Sequence, residues 1–281
     1  MIKSPNVAGQ FYPEGRQELT EMLDTFFSNV DLKSSDIIWK NHLKSLRAIV
    51  APHAGYVYSW LVAAYSYSIL KWYISSLVTR NSPLPTFVVL APSHYEYFEG
   101  VSIGIYDSFE TPLGKVSVDK ELGKKLIESN PKYFSFNEPA YEQEHALEVQ
   151  LPFLQYILGN KIKILPMVFS QTNPIEVGNI LYELSKKEDL FFIVSSDLSH
   201  FMTYDNAVKT DEETLQDFVE KDVKKIADEA EACGIHGRLA LTQIAIKAKW
   251  KPEIVKYMNS GDTAGDKSRV VGYGSMIYHT T

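Results

Sequence analysis

Three apolar runs in this chain end in side chains that can bind a metal or move a proton. RAIVAPHAGY places His53 after the first, TFVVLAPSHYE places His94 after the second, and FFIVSSDLSHF places Asp197 and His200 after the third. A lone histidine is most often a hydrogen-bonded structural residue, but imidazole is also the commonest metal ligand and titrates near neutrality. His53 and His94 both follow an Ala-Pro step, and the proline removes a backbone donor where the strand ends. That exit is rigid and suits an imidazole held at a sheet edge.

Asp197 and His200 are three residues apart, a spacing that puts both on one face of a helical turn. In that arrangement His200 is a general acid or base supported by Asp197; the alternative is a helix N-cap at Ser195 or Asp197 followed by a surface histidine. EHALEVQLP, from Glu144 to Pro152, sets Glu144, His145 and Glu148 near the predicted start of a helix. Glutamates there favour the helix dipole without any chemical role, while His145 and Glu144 are the chemical candidates. The segment lacks the HExxH spacing of the zincins.

Cys233 is the only cysteine, so an intrachain disulfide is excluded. CGIHGRLAL joins it to an apolar helix, with His236 and Arg238 close by, and a thiol near a helix N-terminus is expected to be partly ionised. Cys233 with His53 and His94 makes a metal set of one thiolate and two imidazoles. Such a set suits iron, copper or zinc, not magnesium or calcium.

The runs Arg47 to Pro52, Thr86 to Pro92, Ile162 to Phe169 and Leu190 to Ser196 lack polar alternation, as strands covered on both faces do. Helical spacing fills Trp60 to Tyr73, His145 to Leu158 and Pro174 to Lys186. After Asp205 the chain turns mainly helical, through Lys209 to Glu231 and Gly237 to Trp250. Ile254 to Met258 and Val270 to His279 read as a closing antiparallel hairpin around NSGDTAGDKSR. The pattern predicts an α/β fold, a mostly parallel or mixed central sheet flanked by helices, in which loops at the carboxyl ends of parallel strands line a crevice.

The 281 residues are 45% hydrophobic and 22% charged, with a mean hydropathy of -0.16, an ordinary soluble profile. A net charge of -7 disfavours nucleic acid and anionic membranes as partners. The polar, proline-bearing N-terminus and the lack of any long apolar segment predict a cytoplasmic location.

The ordered motifs VAGQFYP (from Val7), APHAGY (from Ala51), APSH (from Ala91), ETPLG (from Glu110), EHALEVQLPFL, VSSDLSH, the Cys233 segment, SGDTAGD and VVGYGSM resemble the Memo family along nearly the whole length. The resemblance implies one Memo-like α/β domain over residues 1–281, with a fold like that of the class III extradiol (LigB-like) non-heme iron dioxygenases. It implies iron or copper, with zinc as a further candidate, held by His53, His94 and Cys233. His200, Asp197 and His145 are then catalytic, and Glu144, Tyr56 and Ser93 line the cleft. A thiolate where the dioxygenases carry a glutamate departs from ring-cleaving chemistry and favours another oxidoreductase activity of unknown substrate. The alternative is a non-catalytic binding module. By family analogy the AmmeMemoRadiSam system supplies the partners, a radical SAM enzyme and an AMMECR1-like protein.

Overall fold

The computed structural model describes residues 1–32, 45–78 and 83–280. Its elements are β1 (Ile2–Lys3), α1 (Arg16–Ser28), β2 (Leu46–Ala51), α2 (Tyr56–Val78), β3 (Thr86–Pro92), β4 (Val101–Ile103), β5 (Ser108–Thr111), β6 (Gly114–Val118), α3 (Lys120–Ser129), β7 (Phe134–Ser135), α4 (Pro139–Glu142), a 3-10 turn (Glu148–Gln150), α5 (Leu151–Leu158), β8 (Lys163–Phe169), α6 (Pro174–Ser185), β9 (Leu190–Ser195), β10 (His200–Met202), α7 (Tyr204–Glu220), α8 (Val223–Glu229), α9 (Ile235–Ala248), β11 (Lys251–Asn259), α10 (Ser260–Ala264) and β12 (Val270–His279).

The strands join one sheet in the order β1-β5-β6-β8-β3-β9-β2-β12-β10, with β11 on β12. From β6 to β2 the pairs are parallel, and β12 then closes antiparallel on β2. Side chains along β3 and β9 explain why their sequences are apolar without alternation. Phe87, Val89, Phe191 and Ile193 enter one core layer, and Val88, Leu90, Phe192 and Val194 enter the other. Successive residues point to opposite faces, so a strand covered on both sides needs apolar residues at every position.

The first layer is closed by α1, α2 and α5, the second by α6, α7 and α9. The connection from β2 to β3 runs through α2 on the first face, and that from β8 to β9 runs through α6 on the second. Helices leaving to opposite faces open a crevice at the carboxyl edge of β3, β9 and β2. Neighbouring strands thus bring the segments that carry His94, Asp197 and His53 side by side.

The mixed α/β sheet flanked by helices agrees with the sequence-based expectation, as does the terminal hairpin, β11 pairing antiparallel with β12 around α10. Two helical predictions are corrected. Residues 145 to 147 precede the 3-10 turn, so Glu144 and His145 sit in a loop. Its geometry is held by side chains: Glu144 accepts the amides of His145 and Ala146 at 2.9 and 2.7 Å, and so supplies the partners that a helix would have provided. The helical span after Asp205 breaks at Lys221, whose left-handed φ of 60° ends α7. Among the described residues no helix is long and apolar enough to cross a membrane.

Candidate metal centre

One ring nitrogen from each of His53, His94 and His145 lies within 4.8 Å of the others. The protonation of two of these rings follows from their neighbours. His53 Nδ1 is 3.0 Å from Ser195 Oγ, whose single proton goes to the Ala146 carbonyl at 2.6 Å. The same oxygen accepts from Gln150 Nε2 at 2.8 Å, and that amide is oriented by donating to Pro52 O and accepting from the Tyr67 hydroxyl. Ser195 can therefore only accept from His53, so Nδ1 carries the proton and Nε2 a free lone pair. Glu144 does the same for His94: Oε1 takes Nδ1–H at 2.9 Å and Oε2 takes the backbone N–H at 2.6 Å. Such outer partners fix tautomer and ring orientation in metal-binding histidines.

Cys233 Sγ stands 3.1 Å from His53 Nε2 and accepts the Asp197 amide at 3.2 Å. Two donor atoms at that separation match neighbouring ligands on one first-row ion with bonds of about 2.1 and 2.3 Å. His145 adds an unsatisfied buried Nδ1, 3.5 Å from Glu144 Oε1. The three imidazoles thus converge, and the Cys233 sulfur meets them through His53 alone; the sequence offered His53, His94 and Cys233, and the structure puts His145 in the place of the thiol. The residues present fit a metal ion.

Burial, with like charge from His94, lowers the His53 pKa to about 3. Burial, with His53 nearby, lowers His145 to about 4. At His94 burial is outweighed by the Glu144 hydrogen bond and charge, and the pKa rises. Glu144 itself falls to about 2, because the His94 interaction and backbone amides overcome its burial. Asp197 is raised by burial. Burial likewise pushes the Cys233 thiol up, which corrects the expectation of partial ionisation: α9 begins at Ile235, and its N-terminus does not offset the desolvation of the sulfur.

A pH dependence follows. His53 and His145 have folded-state pKa values below the ordinary 6.5, so their contribution is complete above pH 6.5 and is lost as pH falls toward 4. The raised His94 acts at higher pH: its contribution is complete below pH 6.5 and is lost as pH rises through its folded value. Within that window the two lowered histidines set the slope, and the metal-free protein is expected to lose about 3–6 kcal/mol between pH 6.5 and 4. Urea midpoints against pH check this, and a profile as steep in His53→Gln as in wild type would contradict it.

Asp197 and His200 do not share a helical turn. Leu198 N donates to Gly272 O and Ser199 N to Asp211 Oδ1, so the backbone extends into β10 along β12. Asp197 turns inward, accepting the His53 amide at 2.7 Å, while His200 is exposed on β10. The two still influence each other through space. A cleft of about 300 Å³ opens beside His94 and Cys233, lined also by Ser93, Tyr95, Tyr97 and His236. Tyr56 is a core residue: its hydroxyl donates to Val149 O, and its ring packs on Phe153 and Tyr12. Glu144 lies beneath His94. Sequence reasoning missed Ser195 and Gln150, which set the His53 tautomer. Their only signal was polarity inside apolar runs.

Fold and site together define an α/β protein with a cluster of three histidines that could hold a metal ion, and a thiol beside it, at the carboxyl edge of its central strands. The sequence profile of Memo-like proteins matches residues 3–277, and the chain belongs to the Memo family. It is 34% identical over 288 residues to a MEMO1 family protein of Nitrosopumilus maritimus, covering 99% of this chain and 100% of that one. It is 35% identical over 291 residues to one of Sulfolobus acidocaldarius, covering 99% of each. An uncharacterized Escherichia coli K12 protein of known crystal structure shares the fold, with a TM-score of 0.51 at 13% identity over 82% of this chain and 99% of that one.

Proposed function

We propose that the cleft is a redox-capable metal centre for iron or copper, with zinc as a non-redox occupant, and that the chain is a metal-dependent oxidoreductase. The observation that carries this is the enforced Nδ1–H tautomer of His53 and His94, which leaves lone pairs beside His145 and the Cys233 sulfur. Iron or copper would supply a Lewis-acid and one-electron centre. Cys233 is the thiolate ligand once deprotonated, so metal uptake releases a proton and apparent affinity rises with pH. Asp197 holds the His53 backbone, His145 supplies the third imidazole, and His200 at the exposed edge exchanges protons with substrate. The protein is taken to act in the cytoplasm, its proposed partners being a radical SAM enzyme and an AMMECR1-like protein.

Metal analysis by mass spectrometry on anaerobically loaded protein tests the reading. Wild type is expected to retain one iron or copper per chain, and His53→Ala, His94→Ala and Cys233→Ser to retain at least tenfold less. No retained metal in folded wild type would overturn it. The exposed Tyr95 and Tyr97 on the cleft wall favour a second reading, a binding module that seats a partner over the same cleft. Under that reading Tyr97→Ala weakens partner capture without loss of metal.

A further inference from the structure

Arg238, in the first turn of α9, is fully buried, yet it has no counter-charge in contact with it. Its guanidinium lies 3.7 Å over the Phe218 ring, and Nη2 donates to Met276 Sδ at 2.9 Å, a weak acceptor. Nε and Nη1 find no partner. Burial lowers its pKa only to about 10, so the group stays cationic at neutral pH. Tyr278, the Cys233 thiol and Asp211 act on it through space, none of them in contact as a counter-charge, and Asp211, a buried carboxylate, already accepts Ser199 N and the Tyr257 hydroxyl, each at 2.9 Å. A buried cation without a partner costs several kcal/mol, so native structures supply one.

Two buried hydroxyls stand with it. Thr242 is one helical turn on along α9, and Tyr278 shares a face of β12 with Met276. Both residues are buried, and their hydroxyls lie near enough to pair with each other, but no other group partners either of them. With the guanidinium face on Phe218, its edge remains, and the Tyr278–Thr242 hydroxyl pair, which acts on it electrostatically through Tyr278, keeps one proton to give.

We propose that Arg238, Thr242 and Tyr278 form a buried binding site for a halide-sized monovalent anion, chloride in the first instance, between α9 and β12. Water would satisfy the donors but leave the positive charge uncompensated in a low-dielectric layer. A phosphate would bring more negative charge than one guanidinium balances. A single small anion matches the site in charge and in donors. It braces α9, the helix that follows Cys233, against β12, and it does so whether or not the cleft holds a metal.

Crystals of the full chain soaked in sodium bromide test this directly. The expected result is an anomalous peak within hydrogen-bonding distance of Arg238 and the Tyr278 hydroxyl. In parallel, thermal melts in sodium chloride are compared with sodium gluconate at equal ionic strength. An anion at tenfold its Kd raises Tm by about 2–4 °C. That rise is expected for wild type and absent from Arg238→Met. Water density alone at Arg238 in the bromide crystals, or equal melts in the two salts, would overturn the proposal. Neither readout involves metal loading, so failure here is separable from failure of the metal centre.

Discussion

Glu144→Gln is expected to lower metal affinity 10- to 100-fold and to cost about 2–3 kcal/mol of folding stability, although it changes a single oxygen to nitrogen. Every partner of this carboxylate is a donor: His94 Nδ1, His145 N and Ala146 N at Oε1, and His94 N at Oε2. An amide has one oxygen, so its NH₂ must face at least one of those N–H groups and leave it unpaired inside the protein. With oxygen at the Oε1 position, the His94 backbone is pushed off; with nitrogen there, the ring is forced toward the wrong tautomer. The wild-type carboxylate, held at a pKa of about 2, contributes stability that is present above its ordinary 4.5 and is lost as pH falls through 2. The variant should lack that acid limb. Urea unfolding and metal retention against the exposed Glu142→Gln measure both effects. Equal metal affinity in the two variants would remove Glu144 from the centre's support.

Much of this architecture was legible because it follows from local rules. Four buried strands announce themselves as apolar runs, and the parallel order makes their carboxyl ends the place where His53, His94 and Asp197 meet. The short strands β4, β5, β6 and β7 gave no comparable signal. With two to five residues each, they are too short to show a pattern: β4 and β7 are fixed by pairing partners distant in sequence, and β5 and β6 by a tight hairpin on each other. The loop at Glu144 was read as a helix because its glutamates suit a helix dipole. In the structure that tendency is overridden by tertiary partners, with Glu144 on His94 and Glu148 accepting Asn6 N, Val7 N and the Tyr12 hydroxyl. The ionisation of Cys233 was misjudged for a related reason. A helix terminus can be inferred from sequence, but the burial that opposes it depends on how Ser196 and Asp197 close over the sulfur.

That closure makes Gly234 the tightest point of the centre. A Cβ there would lie 2.7 Å from the Ser195 carbonyl and 2.7 Å from Ser196 Cβ, separations that side-chain carbons do not adopt. The backbone φ of -87° suits any residue, so the barrier to substitution is steric alone. Ser195 ends the central strand β9, paired on both sides, and cannot give way; the start of α9 must move, carrying Cys233 with it. Gly234→Ala is therefore expected to cost about 2–3 kcal/mol through overpacking. It should also separate the sulfur from His53 Nε2, with a loss of metal affinity comparable to that of Cys233→Ser although every ligand is retained. Cobalt substitution reports this without activity, since the thiolate-to-cobalt charge-transfer band should weaken in Gly234→Ala and vanish in Cys233→Ser. A full-strength band in Gly234→Ala would show that β9 yields instead, and that the thiol's position is not set by this contact.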